Sequence, residues 1–421
     1  MTVRIGAMLL GLGGLTAAES WQGFAPLGAD LVFAAPSEAG TGGMFGHVLL
    51  RLRGEHGDVA VGYMADLGDD GMLAMAWKGL FGGYEATYDI TPWHGQMRSY
   101  QRDEGRPVWI YPLRLDPGGL TRLLERIADH QGHTGDYHLL ADNCAGGIAD
   151  LLDAAASGAG VRAAAGRWSS PGGVLRAAHA SGLLEAGSRA EGSGSDRFDP
   201  LDDRPVRRLC AGGGYDGEEP YASLALRPAW HTVGDPRGSI ALGDTLEVLS
   251  AEARWLADSG RAVLQQATIL AVQGCAQRGE RIAGRAWRGA LEARRELIGP
   301  DGRGDLQAAL SGGFGVGLNT HQDLTAWILA VGDLRLIDDG AQTAAGGGAE
   351  FGAHGGGRNL SVDLRMRWLA WDGQLDRREA EARGGVTQAL GQRDALRGEA
   401  SWREAWGWHG TAFSLHWLRY F

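Results

Sequence analysis

The C-terminal half of the chain alternates between apolar and polar residues, segment after segment. In residues 360–368 every second side chain is apolar, and those between are polar or charged. The same alternation recurs at 287–294, 308–318, 396–403 and 413–421. Successive side chains of a strand point to opposite faces, so a period of two predicts strands with one apolar and one polar face.

The composition of this half favours a membrane barrel. Its polar faces are heavily charged, helical patterns are nearly absent, and ten of the fifteen tryptophans follow Tyr221. Aromatic girdles and strands of about ten residues are typical of outer-membrane β-barrels. We therefore predict an all-β antiparallel transmembrane barrel over residues 221–421, with an even number of strands, roughly ten to twelve, and an interior filled by side chains. A soluble antiparallel sandwich also alternates and is the alternative.

The N-terminus has the pattern of a secretory signal over residues 1–18. Arg4 supplies the positive charge, residues 5–15 an apolar core, and residues 16–18 a small-residue cleavage site. The apolar run is too short for a good membrane span, and a buried first helix is the alternative. The pattern predicts export and, with the barrel, an outer-membrane protein whose N-terminal domain lies in the periplasm.

Charge and cysteine spacing argue against a nucleic-acid partner and a metal cofactor. A net charge of -11 argues against nucleic-acid binding. Cys144, Cys210 and Cys275 show no metal-ligand spacing, and nothing in the sequence implies a metal or nucleotide cofactor. A disulfide between Cys210 and Cys275 stays open, although unpaired thiols are favoured. The Gly- and Ser-rich residues 187–220 predict a linker between residues 19–186 and the barrel.

Residues 19–186 mix strand and helix patterns around a histidine and a cysteine. His47 opens a short buried strand, and Cys144 opens the amphipathic segment 148–152. A thiol at a helix N-terminus beside an imidazole has a lowered pKa, which makes it a nucleophile. A packed, inert cysteine and an unrelated histidine are the alternative.

The order of these motifs resembles a circularly permuted papain-type domain, as in lecithin:retinol acyltransferase and permuted NlpC-like proteins. The fuller run is similar to the bacterial family named for the Lnb N-terminal periplasmic domain. The matching pieces are Phe45-Gly46-His47, residues 79–84, Tyr100 with Glu104 and Arg106, Trp109-Ile110-Tyr111, and Asp142-Asn143-Cys144. The resemblance covers residues 29–184 and implies an α+β permuted papain-like fold with a His–Cys thiol site. For the family namesake it implies lipoprotein N-acylation with acyl groups from membrane lipid.

The mechanism implied is nucleophilic acyl transfer. His47 takes the proton of Cys144, which attacks an ester or amide carbonyl, and the thioester passes to an amine or to water. Backbone N–H groups of residues 144–147 would stabilise the oxyanion. The third, orienting residue stays open between Tyr63 and Asp66, on or just after the strand that follows His47.

Four further residues have supporting roles. We expect Asp142 to cap the helix that carries Cys144, with Asn143 as part of the same run. Glu104 and Arg106 either pair to position the long loop before them or form an ordinary surface ion pair.

Three functions stay open. The first is acyl transfer or hydrolysis on phospholipid or lipoprotein, which an apolar acyl slot beside Cys144 would favour. The second is amide hydrolysis of peptidoglycan stem peptides, which a polar open groove would favour. The third is a non-catalytic barrel whose N-terminal domain is a plug or adaptor.

Overall fold

The computed structural model describes residues 24, 26–36, 46–66, 68, 78–79, 81–130, 134–189, 199–236, 238, 243–275, 283–297, 303–321, 323–337, 342–371, 378–405 and 408–421. The predicted signal peptide, residues 1–18, lies outside these ranges. The chain divides into two compact units. The first comprises residues 1–35 and 39–196, and the second residues 36–38 and 197–421.

The first unit is built on one antiparallel sheet in the order β6-β4-β3-β2-β1-β5-β7. Its strands are β1 (Pro26–Ala34), β2 (His47–Gly54), β3 (Val59–Ala65), β4 (Tyr84–Pro92), β5 (Val108–Pro112), β6 (Gly135–Tyr137) and β7 (Ser188–Arg189). Its helices are α1 (Trp93–Arg98), which continues as a π-helix (Ser99–Asp103), α2 (Pro117–His130), α3 (Cys144–Ala155), α4 (Val161–Ala165) and α5 (Pro171–Ala180).

Helical segments cover both faces of this sheet, which explains why its central strands are apolar on both sides. On one face Val32, Leu49 and Ala60 pack around Tyr100 of the π-helix. On the other face α3 packs against β2 and β3, and eight of its twelve residues are buried. Within the described part of the chain, no helix combines the length and hydropathy that a membrane crossing requires.

The second unit is a closed antiparallel barrel. Its strands are β8 (Arg208–Tyr215), β9 (Pro220–Arg227), β11 (Thr245–Leu256), β12 (Arg261–Cys275), β13 (Ala283–Leu297), β14 (Arg303–His321), β15 (Leu324–Ile337), β16 (Gln342–Gly356), β17 (Leu360–Trp371), β18 (Arg378–Ala389), β19 (Asp394–Ala405) and β20 (Trp408–Tyr420). The short β10 (Ala229–His231) pairs with β11 beyond the end of β9. The last strand, β20, pairs with β8, so these twelve described strands form a complete ring.

The alternation of the sequence separates the two surfaces of this ring. In β17 the side chains of Met366 and Trp368 are exposed on the outer surface, whereas Arg367 between them is buried inside. An outward apolar band around a polar interior is the pattern of a membrane barrel. The predicted α+β domain followed by an antiparallel barrel is confirmed, and the alternative of a sandwich is wrong because the sheet closes on itself.

The barrel begins earlier than predicted, because β8 lies inside the predicted linker, residues 187–220. Its glycines permit close strand packing rather than flexibility: a Cβ on Gly212 would clash with Leu415 O, and one on Gly214 with Phe413 O. Since Gly212 has no side chain, Ser223 of β9 and His416 of β20 meet across it with Oγ and Nε2 2.9 Å apart.

Paired charges fill much of the barrel interior. Glu350 accepts hydrogen bonds from Arg288 and Arg365, and Asp333 from Arg294, Arg335 and Arg367. A cavity of about 340 Å³ remains, lined by residues of both signs together with Cys210, Ser414 and His416. In the described structure no disulfide joins Cys210 to Cys275.

An inner segment, residues 229–236, follows β9 and binds to the barrel wall. Its Asp235 carboxylate accepts hydrogen bonds from Arg208, Arg227 and the Tyr420 hydroxyl. Thr387 Oγ1 donates to Gly234 O at 2.7 Å. Side chains from β8, β9, β18 and β20 therefore converge on this segment.

Candidate functional site

Cys144 is the first residue of α3, and Asn143 is the N-cap of this helix. The Asn143 Oδ1 atom accepts the Gly146 N–H at 3.0 Å, and its Nδ2 donates to Leu139 O at 2.7 Å and Ser169 O at 2.8 Å. The side chain therefore caps α3 and also ties the preceding turn to the segment before α5. Because Asn143 is buried with its amide bonded on both sides, the start of α3 is held rigidly.

The prediction that Asp142 caps α3 is wrong. The Asp142 side chain is 57% exposed and pairs with Arg162, Nη2 to Oδ1 3.0 Å. Asn143, one residue later, occupies the N-cap position, since its own side chain accepts from the residue three positions on. In the sequence, the N-cap could have been identified as the residue immediately before the first helical residue, which is Asn143.

The Cys144 thiol is half-buried at the junction of α3 and β2. Burial raises its pKa to about 11, which outweighs the lowering by backbone hydrogen bonds at Val48, Ala145 and Cys144 and by the charge of Arg106. The helix start and the strand start both direct polar backbone at the sulfur, yet the loss of water dominates. The predicted lowering of the thiol pKa is therefore wrong for this resting structure.

Only part of the predicted oxyanion site is available. The N–H of Gly146 donates to Asn143 Oδ1, and the N–H of Gly147 donates to Asn143 O. Both groups are committed to the start of α3. The N–H groups of Cys144 and Ala145 face the thiol and are the pair left to receive negative charge.

His47 is the first residue of β2, on the face of the sheet that the π-helix covers. Its ring lies 6.5 Å from the Tyr100 ring, centroid to centroid. Gly62 of β3 lies beside the imidazole, since a Cβ there would be 3.6 Å from His47 Nε2. Burial, and secondarily the charge of Arg106, lowers the pKa of His47 to about 3, so the imidazole is neutral.

His47 is the first residue of β2, and the backbone of Val48, its neighbour in the chain, is among those that hydrogen-bond the Cys144 thiol. Among the described residues no hydrogen bond joins the imidazole to the thiol. Catalytic hydrogen bonds are often loose before substrate binds and tighten in the complex.

Tyr63 and Asp66 occupy different environments. The Tyr63 ring lies against Gly147 of α3 and 5.1 Å from the Tyr88 ring, on the opposite face of the sheet from His47. Burial raises its pKa. Asp66 is exposed in the turn after β3, where its Oδ1 accepts the Gly68 N–H at 3.1 Å. No described contact joins either residue to His47.

Glu104 and Arg106 form a buried pair rather than a surface pair. The Arg106 side chain is 7% exposed, donates to the Glu104 carboxylate, and also donates to Ala35 O at 3.4 Å. Ser99 Oγ donates to Glu104 as well, at 3.3 Å. The pair thus anchors the π-helix, a local form common at functional sites.

Two contacts of the site had little or no signal in the sequence. Arg162 of α4 donates to Ala141 O at 3.3 Å and to Ser169 Oγ at 3.2 Å, which fixes the turn before Cys144. Gly82 adopts a φ of +91°, and a Cβ there would lie 2.7 Å from His138 Cε1. The glycine content of residues 79–84 was visible in the sequence, but its packing partner was not.

A metal centre is not indicated. The described residues contain no group of three or more His, Cys, Asp or Glu side chains placed to hold a metal ion.

Two protein-family models match the chain. The model of the Lnb N-terminal periplasmic domain matches residues 19–177, and that of a domain of unknown function, DUF7840, matches residues 198–420. No curated protein matches the chain. The first unit is therefore periplasmic, and the barrel lies in the outer membrane.

Solved structures with similarity to the chain include several outer-membrane porins. The NanC porin is 8% identical over 51% of this chain and 99% of its own, with a TM-score of 0.32. The KdgM porin is 8% identical over 51% and 99%, with a TM-score of 0.29. An anion-selective porin from Comamonas acidovorans is 12% identical over 94% and 99%, with a TM-score of 0.25. At these TM-scores the barrel assignment rests on the strand pairing of this chain.

Proposed function

Because the chain belongs to the DUF7840 family and carries an Lnb N-terminal periplasmic domain ahead of that region, we propose that it is an outer-membrane-anchored thiol enzyme. It transfers or hydrolyses acyl groups of phospholipids or lipoproteins through a thioester on Cys144, with His47 as the base. The observation that carries this proposal is a thiol on the first residue of a capped helix, touching the backbone next to a neutral imidazole.

Both groups are neutral at rest, so the thiol carries the proton and the imidazole is in the form that can accept it. His47 accepts the Sγ proton as sulfur bonds to the ester carbonyl carbon, and the oxyanion receives the N–H groups of Cys144 and Ala145. Collapse breaks the ester C–O bond, and His47 returns the proton to the leaving alcohol. An amine or water then attacks the thioester, and the thiol is restored.

The location of the domain supports a lipid or lipoprotein substrate. A periplasmic domain attached to an outer-membrane barrel works beside the inner leaflet, where both kinds of acyl chain are available. Two large apolar side chains of this unit, Met64 on β3 and Phe81 before β4, are exposed. Apolar groups of this kind suit contact with acyl chains.

The proposal is tested by intact-mass analysis of the full-length protein reconstituted with phospholipid. Wild type should gain one acyl mass that hydroxylamine removes, whereas Cys144→Ala should gain none. Cys210→Ala, which removes a thiol of the barrel, is the matched control and should acylate like wild type. His47→Gln should acylate about 10²-fold more slowly, as expected for loss of a general base.

Two other results would contradict the lipid proposal. Release of free amine from peptidoglycan stem peptides, abolished by Cys144→Ala and without an acyl adduct, would establish an amidase instead. Absence of both reactions, with Cys144 inert to a lipid-tailed electrophile, would leave a non-catalytic adaptor domain.

A further inference from the structure

We propose that Tyr100, in cation–π contact with Arg106, is the positioning residue for His47. It takes the place of Tyr63 or Asp66, which the sequence suggested. This inference rests on the proposed function, because it assigns the support of the same base.

Tyr100 contacts both a cation and the imidazole. The Arg106 guanidinium carbon lies 4.4 Å from the Tyr100 ring centroid, and the His47 ring lies 6.5 Å from it with the two rings tilted by 59°. A guanidinium over an aromatic face is attracted by its quadrupole. One buried ring is therefore in contact with Arg106 and packs against His47.

Tyr100 and Arg106 are both held in place by their own contacts. Tyr100 is 2% exposed and belongs to the π-helix, and its carbonyl accepts the Arg106 N–H at 3.0 Å. Glu104 holds the guanidinium, and a hydrogen bond with Gln96 holds the tyrosine hydroxyl. The ring that faces His47 therefore has little freedom to move, which is what a positioning residue requires.

Among the described residues, the charged or titratable groups recorded against His47 are Tyr100 and Arg106, both on the π-helix side. The Cys144 thiol contacts the backbone of Val48, the next residue in the chain. Further along the same face of the sheet, Arg51 is paired with Asp30 and Asp58. Arg106 is thus the cation that opposes a proton on His47, while the same charge favours the thiolate of Cys144.

This arrangement explains how the base stays available. Tyr100 shields the imidazole from water, and the charge of Arg106 disfavours imidazolium, so His47 is unprotonated before the reaction. The negative charge that forms on sulfur lies in the field of the same Arg106 side chain. One buried arginine therefore keeps the base unprotonated and favours the thiolate.

The test uses the full-length protein with ¹³C-labelled histidine, the His47 signal being assigned by its loss in His47→Gln. In wild type this signal should not titrate between pH 5 and 8. In Tyr100→Leu its midpoint should enter that range, and acylation should slow by roughly 10²-fold. Tyr100→Phe keeps the ring and its contact with the guanidinium and loses only the hydrogen bond with Gln96, so it should slow acylation less than Tyr100→Leu.

Arg106→Met gives an independent reading if Tyr100→Leu does not fold. It should raise the titration midpoint of His47, because the cation disfavours imidazolium. It should also slow the alkylation of Cys144 by iodoacetamide at pH 8, because the cation favours the thiolate. Arg106→Lys keeps the charge and should restore both. Tyr111→Leu removes another fully buried tyrosine of this unit and should change neither signal.

The inference is overturned if folded Tyr100→Leu or Arg106→Met leaves His47 untitrated and acylation at the wild-type rate. Failure of the proposed function looks different: wild type then forms no acyl adduct, whatever the variants do to the His47 signal.

Discussion

Burial keeps the Cys144 thiol and the His47 imidazole neutral, although backbone hydrogen bonds and the charge of Arg106 lower the pKa of the thiol. Both residues could be identified from the sequence, because their immediate neighbours carry the motif. Their charge state could not, since it depends on water excluded by segments distant in the chain. The same reason hid Tyr100 as a neighbour of His47, as they are brought together only by the π-helix.

The reactivity of Cys144 should follow its raised pKa. We expect its alkylation by iodoacetamide to rise about tenfold per pH unit from pH 7 to 10, without a plateau near neutrality, because thiolate accumulates only towards pH 11. The rate is measured by mass spectrometry of the Cys144 peptide. A plateau between pH 6 and 8 would instead indicate a thiolate–imidazolium pair.

Protonation of His47 should oppose folding of the periplasmic domain at low pH. The unfolded chain binds this proton near pH 6.5, and the folded domain only near pH 3. The stabilisation from neutral His47 is thus complete above pH 6.5 and is lost as pH falls towards 3. His47→Gln should flatten this part of the pH–stability curve, measured by urea unfolding followed by fluorescence. Equal slopes in the two proteins would contradict the depressed pKa.

At the level of elements, the helices and strands with strong periodicity were predictable, and β8 was not. Its run Ala211-Gly212-Gly213-Gly214 has the composition of a linker, yet pairing with β9 and β20 on both edges makes it a strand. Pairing with distant strands overrode the local propensity of these residues, and a single sequence does not show which strands will pair.

The cap of α3 is the element on which the site depends. Asn143→Ala should destabilise the periplasmic domain by about 1 to 2 kcal/mol or more, because it removes the cap and leaves Leu139 O and Ser169 O without this donor. It should also change the alkylation rate of Cys144. Ser170 caps α5 in the same way, since its Oγ accepts the Gly173 N–H. Ser170→Ala should lower the stability by about 1 kcal/mol and leave the alkylation rate of Cys144 unchanged.

For the whole molecule, alternation was enough to predict a barrel, because the bilayer imposes an apolar outer surface on every strand. The inner segment at residues 229–236 was not predictable, since some of its interactions come from strands far along the chain. The Tyr420 hydroxyl that donates to Asp235 lies 185 residues away, and Thr387, which donates to Gly234 O, lies 153 residues away.

Neutralising Asp235 should weaken the barrel itself. Asp235→Asn leaves two buried guanidinium groups without their counter-charge and should lower the free energy of unfolding by about 3 to 5 kcal/mol. Asp394→Asn removes the partner of the partly exposed Arg419 and should cost less than about 1 kcal/mol. Urea unfolding in lipid vesicles, followed by tryptophan fluorescence, compares the two. Equal midpoints would show that the inner segment does not stabilise the barrel.

Gly212 allows a side-chain hydrogen bond to form across β8. Ser223 and His416 belong to strands that are not neighbours, and they meet only when β8 lies between them and presents no side chain at that level. Their hydrogen bond requires β8 to be paired with both β9 and β20. The bond therefore reports that the last strand of the barrel has paired with the first.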